Sequence, residues 1–247
     1  MLNPSFANYE IYHIYNRGVE KRKVFLNDKD YLRFIHDLFE FNDIRPVPPA
    51  NIRFHNDHPG GISALDIKQS LEVEPLRIDA RDRKPRELLV ELMAFCLMPN
   101  HYHLLIRQLR DEGVTKFMQK LGTGYTMYFN KKNERVGPLF QGKFKAVHLT
   151  SDSHYLHIPH YIHLNPLDLL APSWREGKLP NRRQAKKFLE SYRWSSFLDF
   201  IGIKNFPSVT QRDFLAEILG TPAKYRSATL QLLQEMDMEN IRAETLE

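Results

Sequence analysis

Residues 88–107 read LLVELMAFCLMPNHYHLLIR, two apolar runs separated by Pro99 and Asn100. Proline and asparagine are typical turn residues, and short apolar runs on both sides of a turn are typical of buried strands. The pattern therefore predicts an antiparallel hairpin, with one strand at 88–98 and the other at 101–107. We expect these two strands to form the centre of a sheet, with neighbouring strands supplied by the rest of the chain.

The second predicted strand contains His101, Tyr102 and His103. Residues two apart in a strand point to the same face, so both imidazoles face one way and the tyrosine ring the other. Two parallel imidazoles are a potential metal clip, although the same spacing also occurs in histidine pairs that bind no metal. A cupin-like site is disfavoured because Arg107, not a carboxylate, follows the pair. A barrel amidohydrolase is disfavoured because the pair lies on a mid-chain hairpin.

Alternating and helical patterns on either side of the hairpin predict the remaining elements. They are a strand at 9–15 with a turn at 16–18, a helix following Asn27, a helix at 114–130, a strand at 144–149, and a helix from Ser151 toward Leu164. The resulting order is β-α-β-β-α-β with an added helix. It predicts an α+β, ferredoxin-like fold in which helices pack on one face of an antiparallel sheet.

Two long segments fall outside this pattern. Residues 44–86 are punctuated by proline, glycine and charged residues, which predicts a long loop insertion. After Pro166, helical patterns at 182–201, 211–219 and 223–236 predict a helical C-terminal extension. We therefore expect a main domain at 1–166 and an extension at 167–247.

The composition is that of a soluble globular protein, with 42% hydrophobic and 26% charged residues in a chain of 247. No apolar run approaches the roughly 20 residues that a membrane span requires, and the first residues lack the apolar segment of a secretory signal. We expect no membrane association and a cytoplasmic location. The single cysteine, Cys96, is expected to be a buried hydrophobic residue without a disulfide.

The positive charge is concentrated in one part of the chain. Residues 107–148 contain nine lysines and arginines against three acidic residues, whereas the whole chain has a formal net charge of +5. Aromatic residues are interleaved with these cations, a mixture suited to neutralising phosphates and stacking on the bases of single strands. A helix with a solvated basic face over an aromatic core explains the same pattern equally well.

Tyr161 and Asn165 are four residues apart in the helix predicted after Ser151. Residues with this spacing share one face of a helix, so Asn165 can reach whatever Tyr161 faces. The amide oxygen would complete a set of two histidines and one asparagine, a set that suits Mn²⁺ at least as well as Mg²⁺. Taken alone, Tyr161 is better explained as an ordinary core aromatic residue.

Five motifs in combination resemble the HUH-type single-tyrosine transposases, the IS200-like family, and in particular its members associated with repetitive extragenic palindromes. They are YHIYNRG at 12–18, LMPNHYHLLI at 97–106, GPLFQGKFKAVHL at 137–149, YIHLNPL at 161–167 and YRWSSF at 192–197. The resemblance spans residues 9–202, and the order and spacing of the histidine and tyrosine motifs make it specific.

The resemblance implies a role for each residue of the two central motifs. Tyr161 takes the role of the nucleophile, His101 and His103 those of metal ligands, and Asn165 that of the third ligand. The implied activity is a strand transfer that depends on Mg²⁺ or Mn²⁺. An enzyme with this activity cuts single-stranded DNA at hairpin or palindromic repeats, forms a 5′-phosphotyrosine intermediate, and rejoins the strands. The main domain at 1–166 would then be the catalytic domain.

Further residues are candidates for supporting roles. His157 lies one turn before Tyr161 and is a candidate for assisting the loss of the phenol proton, with a purely structural role as the alternative. Candidate DNA contacts are Phe140, Gln141, Lys143 and Lys145, with Arg17 and Lys21 as weaker ones. The expected partner is single-stranded or hairpin DNA, and the protein is expected to act as a monomer or a homodimer.

Two other functions remain open at this point. One is a protein that binds DNA hairpins without cutting them. The other is a metal-dependent hydrolase that uses water as the nucleophile, in which Tyr161 is structural. Glycine motifs for nucleotide binding are absent from the sequence, so no nucleotide cofactor is expected.

Overall fold

The computed structural model describes residues 3–46, 86–176, 178–179 and 181–235. Nearly all of the predicted insertion at 44–86 lies outside these residues, so its loop character stays a prediction.

Four antiparallel strands form one sheet, in the order β2-β3-β1-β4. They are β1 (Ile11–Arg17), β2 (Val90–Met98), β3 (His101–Gln108) and β4 (Lys145–Leu149). β2 and β3 are the hairpin that 88–107 predicts, with Pro99 and Asn100 at the turn. The prediction that both hairpin strands are central is wrong for β2, because β1 pairs with the other side of β3 and leaves β2 at the edge of the sheet. Helix α1 (Asp28–Glu40) connects β1 to β2, and α2 (Gly113–Lys132) connects β3 to β4. The predicted ferredoxin-like order is confirmed.

Helices α1 and α2 pack together on one face of the sheet, as predicted. Tyr102 of β3 points to this face, where its ring centroid lies 5.1 Å from that of Phe34 in α1. Gly124 in α2 makes room for the ring of Phe41, which follows directly after α1, because a Cβ built at residue 124 would lie 2.5 Å from a carbon of that ring. A glycine that weakens the helical pattern in the sequence is therefore required by the packing.

The opposite face is covered by a helix that carries Tyr161 and by the C-terminal helices. The elements are α3 (Asp152–Leu164), α4 (Arg182–Ser191), α5 (Phe197–Phe200), α6 (Asp213–Leu219) and α7 (Pro222–Glu235). Their apolar side chains form a second core with Cys96 and Leu105 of the sheet. Cys96 is fully buried, in agreement with its predicted role. Because α3 shares this core with the extension, the boundary at residue 166 stays a prediction.

The prediction of one continuous helix at 182–201 is wrong in its middle. The helix ends at Ser191, and the next residues run beside β2, where Leu97 N donates to Trp194 O at 2.8 Å and Ser196 N donates to Phe95 O at 3.0 Å. Ser196 Oγ also accepts a hydrogen bond from Phe95 N at 2.9 Å. These bonds to a strand distant in sequence replace the hydrogen bonds that a continuous helix would have made.

Within the described part of the chain, no helix combines the length and the apolar character that crossing a membrane demands.

Candidate functional site

The register of the sheet brings the predicted site residues into rows on one face. Tyr15 of β1 lies opposite His103 on one side and opposite Lys145 on the other, and Arg17 lies opposite His101. Directly opposed residues of antiparallel strands project to the same face. The histidine pair, an aromatic ring and two cations therefore share the face that α3 partly covers.

His101 and His103 point to the same face, as their spacing predicts. Their ring centroids are 5.0 Å apart, with the ring planes nearly perpendicular. The His101 ring is half-buried, and its Nδ1 lies 2.7 Å from Asn100 Oδ1 in the hairpin turn. The His103 ring is buried. The turn residue thus fixes the orientation of the first imidazole.

Burial keeps both imidazoles neutral. It lowers the pKa of His101 to about 4, an effect that nearby Asp168 opposes and Arg175 reinforces. Burial also lowers the pKa of His103 well below its usual value, and the neighbouring His101 and His13 lower it further. Neutral imidazole is the form that donates a lone pair to a metal ion.

A third histidine, His13 of β1, belongs to the site and was not predicted from the sequence. Its Nε2 lies 2.9 Å from His103 Nδ1, and burial lowers its pKa to about 3. Its only signal in the sequence is its place in an alternating strand two residues before Tyr15. Finding its partner requires the register of β1 against β3, which joins residues 90 positions apart.

Tyr161 of α3 lies directly over these histidines. Its ring makes edge contacts with the rings of His13 and His103, each with a centroid distance of 5.9 Å. The Tyr161 side chain is 3% exposed. The structure therefore brings the predicted nucleophile together with the predicted metal ligands within a single chain.

Asn165 ends α3 beside Tyr161. Its Nδ2 donates to Tyr161 O at 2.9 Å, which satisfies a carbonyl at the helix terminus. Its Oδ1 accepts a hydrogen bond from Arg175 at 2.9 Å. An amide oxygen has two lone pairs, so this bond leaves room for a second partner, and the metal-ligand role of Asn165 stays a prediction.

Arg175 and Asp168 are further members of the site that sequence motifs did not indicate. Arg175 bonds to the carboxylate of Asp168, which also accepts a hydrogen bond from Trp174 Nε1 at 2.6 Å. The Arg175 guanidinium lies 5.7 Å from the centroid of the Tyr161 ring. A fixed cation thus stands beside the predicted nucleophile and the oxygen of Asn165.

The donors present fit a divalent metal ion that accepts nitrogen and oxygen ligands. Among the residues that the structure describes, no group of three or more His, Cys, Asp or Glu side chains is arranged to hold a metal ion. The predicted set differs from such groups because its third member, Asn165, is an amide. Two neutral imidazoles on one face and a hard amide oxygen suit Mn²⁺ or Mg²⁺ better than a thiolate-binding metal.

Two histidines on the far side of α3 anchor the helix. His160 Nδ1 lies 2.8 Å from Thr229 Oγ1, and His163 lies 2.7 Å from the Tyr225 hydroxyl and 2.8 Å from Ser196 Oγ. α3 begins at the predicted cap, Ser151, and runs through Pro159. The C-terminal extension thus sets the rotation of α3, and with it the direction of Tyr161.

The buried His160 is expected to make the stability depend on pH. Burial lowers its pKa to about 3, so between pH 6.5 and 3 the unfolded chain binds a proton that the folded chain excludes. Stability falls as pH falls through this window. From pH 7 to pH 5 we expect this group to cost about 2 kcal/mol. Urea unfolding should show a smaller loss for His160→Leu than for the wild type, and equal losses would contradict the assignment.

His157 lies on the side of α3 that faces the extension. It lines a cavity of about 260 Å³ together with residues of α6 and α7, among them Ile218 and Lys224. His157 lies one turn before Tyr161 on the same helix, as predicted. The role of His157 in assisting the loss of the phenol proton stays a prediction.

The predicted DNA contacts from two separate motifs meet in space. Gly18 forms a bridge with Phe140, and Gln141 N donates to Arg17 O at 2.8 Å. Arg17 Nε donates to Gln141 Oε1 at 2.6 Å. The end of β1 and the loop before β4 therefore form one surface next to the histidine pair.

All but one of these predicted contacts are exposed, namely Arg17, Lys21, Gln141, Lys143 and Lys145. Phe140 differs, because it is 7% exposed and its ring packs against Tyr102 at a centroid distance of 5.5 Å. In this position Phe140 supports the loop from inside the core. A more accessible aromatic ring is that of Tyr15, which lies 5.8 Å from Lys145 Nζ.

Comparison with protein families identifies the segment that carries the site. The model of the family described as IS200-like transposases matches residues 82–165. This stretch contains the histidine hairpin, α2, β4 and the helix of Tyr161. Through this segment the chain is similar to the IS200-like transposases.

Among solved structures, the chain is similar to that of the REP-associated tyrosine transposase bound to a REP hairpin. The TM-score is 0.46 at 12% sequence identity, and the alignment covers 86% of this chain and 92% of the other. No curated protein matches the chain.

Proposed function

We propose that this protein is a metal-dependent DNA strand transferase that cuts and rejoins single-stranded DNA bearing a hairpin or palindromic repeat. The observation that carries the proposal is the contact of the Tyr161 ring with the His103 ring, made by a helix that belongs to the same chain. The family of the segment 82–165 supports the general class of reaction. The substrate class is supported by the sequence motifs at 97–106 and 161–167, which resemble those of transposases associated with palindromic repeats.

The proposed chemistry is a transesterification at phosphorus. Tyr161 Oη forms a bond to the phosphorus atom while the bond from phosphorus to the 3′ oxygen breaks. The phenol loses its proton and the departing 3′ oxygen gains one, so no net acid or base is consumed. The product is a 5′-phosphotyrosine bond, and a second 3′-hydroxyl can attack that bond to rejoin strands without ATP.

His101, His103 and Asn165 are the residues that would hold a Mg²⁺ or Mn²⁺ ion. An ion held by these residues would polarise the scissile phosphate and stabilise its added negative charge. The buried ring of Tyr161 is held against the histidines, which lowers the entropic cost of aligning the phenol for attack. Arg175 supports this arrangement because it bonds to Asn165 and lies beside the Tyr161 ring.

The substrate strand would approach over the exposed cations next to the histidine pair. Arg17 lies opposite His101, and Lys145 lies opposite Tyr15, which in turn lies opposite His103. Lysine and arginine side chains at such positions bind backbone phosphates without reading sequence. The same side chains would hold the strand while Tyr161 is linked to its 5′ end.

The proposal is tested by searching for the covalent intermediate. The full-length protein is incubated with hairpin-bearing single-stranded DNA of several sequences and Mn²⁺, and the products are separated under denaturing conditions. We expect a protein–DNA adduct that is absent when EDTA replaces the metal. Cleaved DNA without an adduct would indicate a hydrolase that uses water. Binding without cleavage across all substrates would indicate a hairpin-binding protein, and either result overturns the proposal.

A further inference from the structure

His13 is a buried imidazole that the proposed reaction does not yet use. Its ring is fully buried between the rings of Tyr15 and His103, with centroid distances of 5.3 and 5.2 Å. An apolar side chain would fill the same space without the cost of burying polar nitrogens. An imidazole buried at this position is therefore expected to form a hydrogen bond through one of its nitrogens.

The partner is His103. His13 Nε2 and His103 Nδ1 are 2.9 Å apart, and the two ring planes differ by 15°, so the nitrogens face each other nearly edge to edge. In the described part of the chain, His13 Nδ1 has no hydrogen-bond partner. The bond to His103 is therefore the hydrogen bond that fixes the orientation of the His13 ring.

Two neutral imidazoles can form this bond in two ways. If His13 donates, His103 carries its single proton on Nε2 and has no lone pair there for a metal ion. If His103 donates from Nδ1, its Nε2 lone pair is available, and the proton of His13 lies on Nδ1. Only the second arrangement is compatible with His103 as a ligand through Nε2.

We propose that His13 is a positioning residue whose Nε2 accepts the Nδ1 proton of His103 and so holds His103 in the tautomer that can bind a divalent metal ion. This inference rests on the proposed function, because it presupposes that His103 is a ligand. Hydrogen bonds of this kind to the remote nitrogen of a ligand histidine fix its tautomer and ring orientation. His13 acts through His103 and touches neither the metal ion nor the DNA.

The affinity for Mn²⁺ tests the proposal without reference to catalysis. Isothermal titration of the DNA-free protein compares the wild type with His13→Met and His13→Gln. Methionine fills the space without the aligned acceptor, whereas the Oε1 of glutamine can take the position of Nε2. We expect His13→Met to bind Mn²⁺ about 10- to 100-fold more weakly and His13→Gln to stay within a few fold of the wild type.

The outcomes separate this inference from the proposed function. If the wild type binds Mn²⁺ and His13→Met binds it equally well, or both variants are equally weakened, the role of His13 is overturned while the strand-transfer proposal stands. If the wild type binds no Mn²⁺, the proposed metal site fails and the role of His13 fails with it.

A measurement on the wild type alone covers the case in which His13→Met does not fold. In protein labelled with ¹⁵N at histidine and saturated with Mg²⁺, long-range ¹H–¹⁵N correlations show which ring nitrogen of His103 carries the proton. We expect the proton on Nδ1. A proton on Nε2 of His103 would overturn the proposal.

Discussion

Tyr161→Phe is expected to abolish the covalent protein–DNA adduct. The substitution removes the oxygen that would attack the phosphate but keeps the ring that packs against His13 and His103. Loss of a nucleophile typically costs several orders of magnitude in rate, so the adduct should fall by at least about a thousandfold. The measurement is the denaturing-gel assay with hairpin DNA and Mn²⁺, quantified over time.

Tyr155→Phe is the matched control for this variant. Tyr155 lies on the same helix, and its hydroxyl donates to Leu149 O at 3.1 Å, remote from the histidine pair. We expect Tyr155→Phe to form the adduct at close to the wild-type rate. An adduct that persists in Tyr161→Phe would show that another residue is the nucleophile, even if the protein proves to be a strand transferase.

The second large effect is expected from replacing both members of the histidine pair. A variant with His101→Ala and His103→Leu removes both imidazoles that we propose as metal ligands, while keeping an apolar side chain at the buried position. A catalytic metal ion contributes several kcal/mol to stabilising the transition state, which corresponds to a loss of about 100- to 10,000-fold in the rate of adduct formation. Mn²⁺ binding should be lost in the same variant, as measured by isothermal titration.

Tyr102→Phe provides the control on the same strand. Tyr102 lies between the two histidines but points into the core on the other side of the sheet, against α1. It should therefore retain both Mn²⁺ binding and adduct formation. Thermal unfolding of all the variants separates a loss of fold from a loss of ligands. If the variant without both histidines bound Mn²⁺ with wild-type affinity, His101 and His103 would be ruled out as metal ligands.

The features predicted from the sequence depend on contacts between residues close in the chain. The β2–β3 hairpin follows from a two-residue turn between apolar runs, and the shared face of His101 and His103 follows from the two-residue repeat of a strand. Likewise, the proximity of Asn165 to Tyr161 follows from helical spacing, and in the structure the Asn165 side chain donates a hydrogen bond to the backbone carbonyl of Tyr161. Local geometry is sufficient for each of these.

The features that the sequence did not predict depend on pairing between distant segments. His13 meets His103 only because β1 pairs with β3 in one register, and a shift by one residue would turn His13 to the other face. Arg175 reaches Asn165 because two 3₁₀ helices, Asn165–Leu169 and Trp174–Glu176, follow α3, and both are too short to leave a periodic pattern in the sequence. The segment at 192–196 beside β2 was predicted as helix because its hydrogen-bond partners lie about a hundred residues earlier.

That segment also has a consequence for assembly. β2 is an outer strand of the sheet, and an unpaired outer strand is a template on which another chain can add its own strand. Here the backbone carbonyl of Trp194 accepts from Leu97 N, and the backbone N–H of Ser196 donates to Phe95 O. Gln211 bonds to both the N–H and the carbonyl of Leu92. Residues of the same chain therefore occupy the hydrogen-bonding groups at this edge of the sheet, and a second copy cannot add a strand at β2.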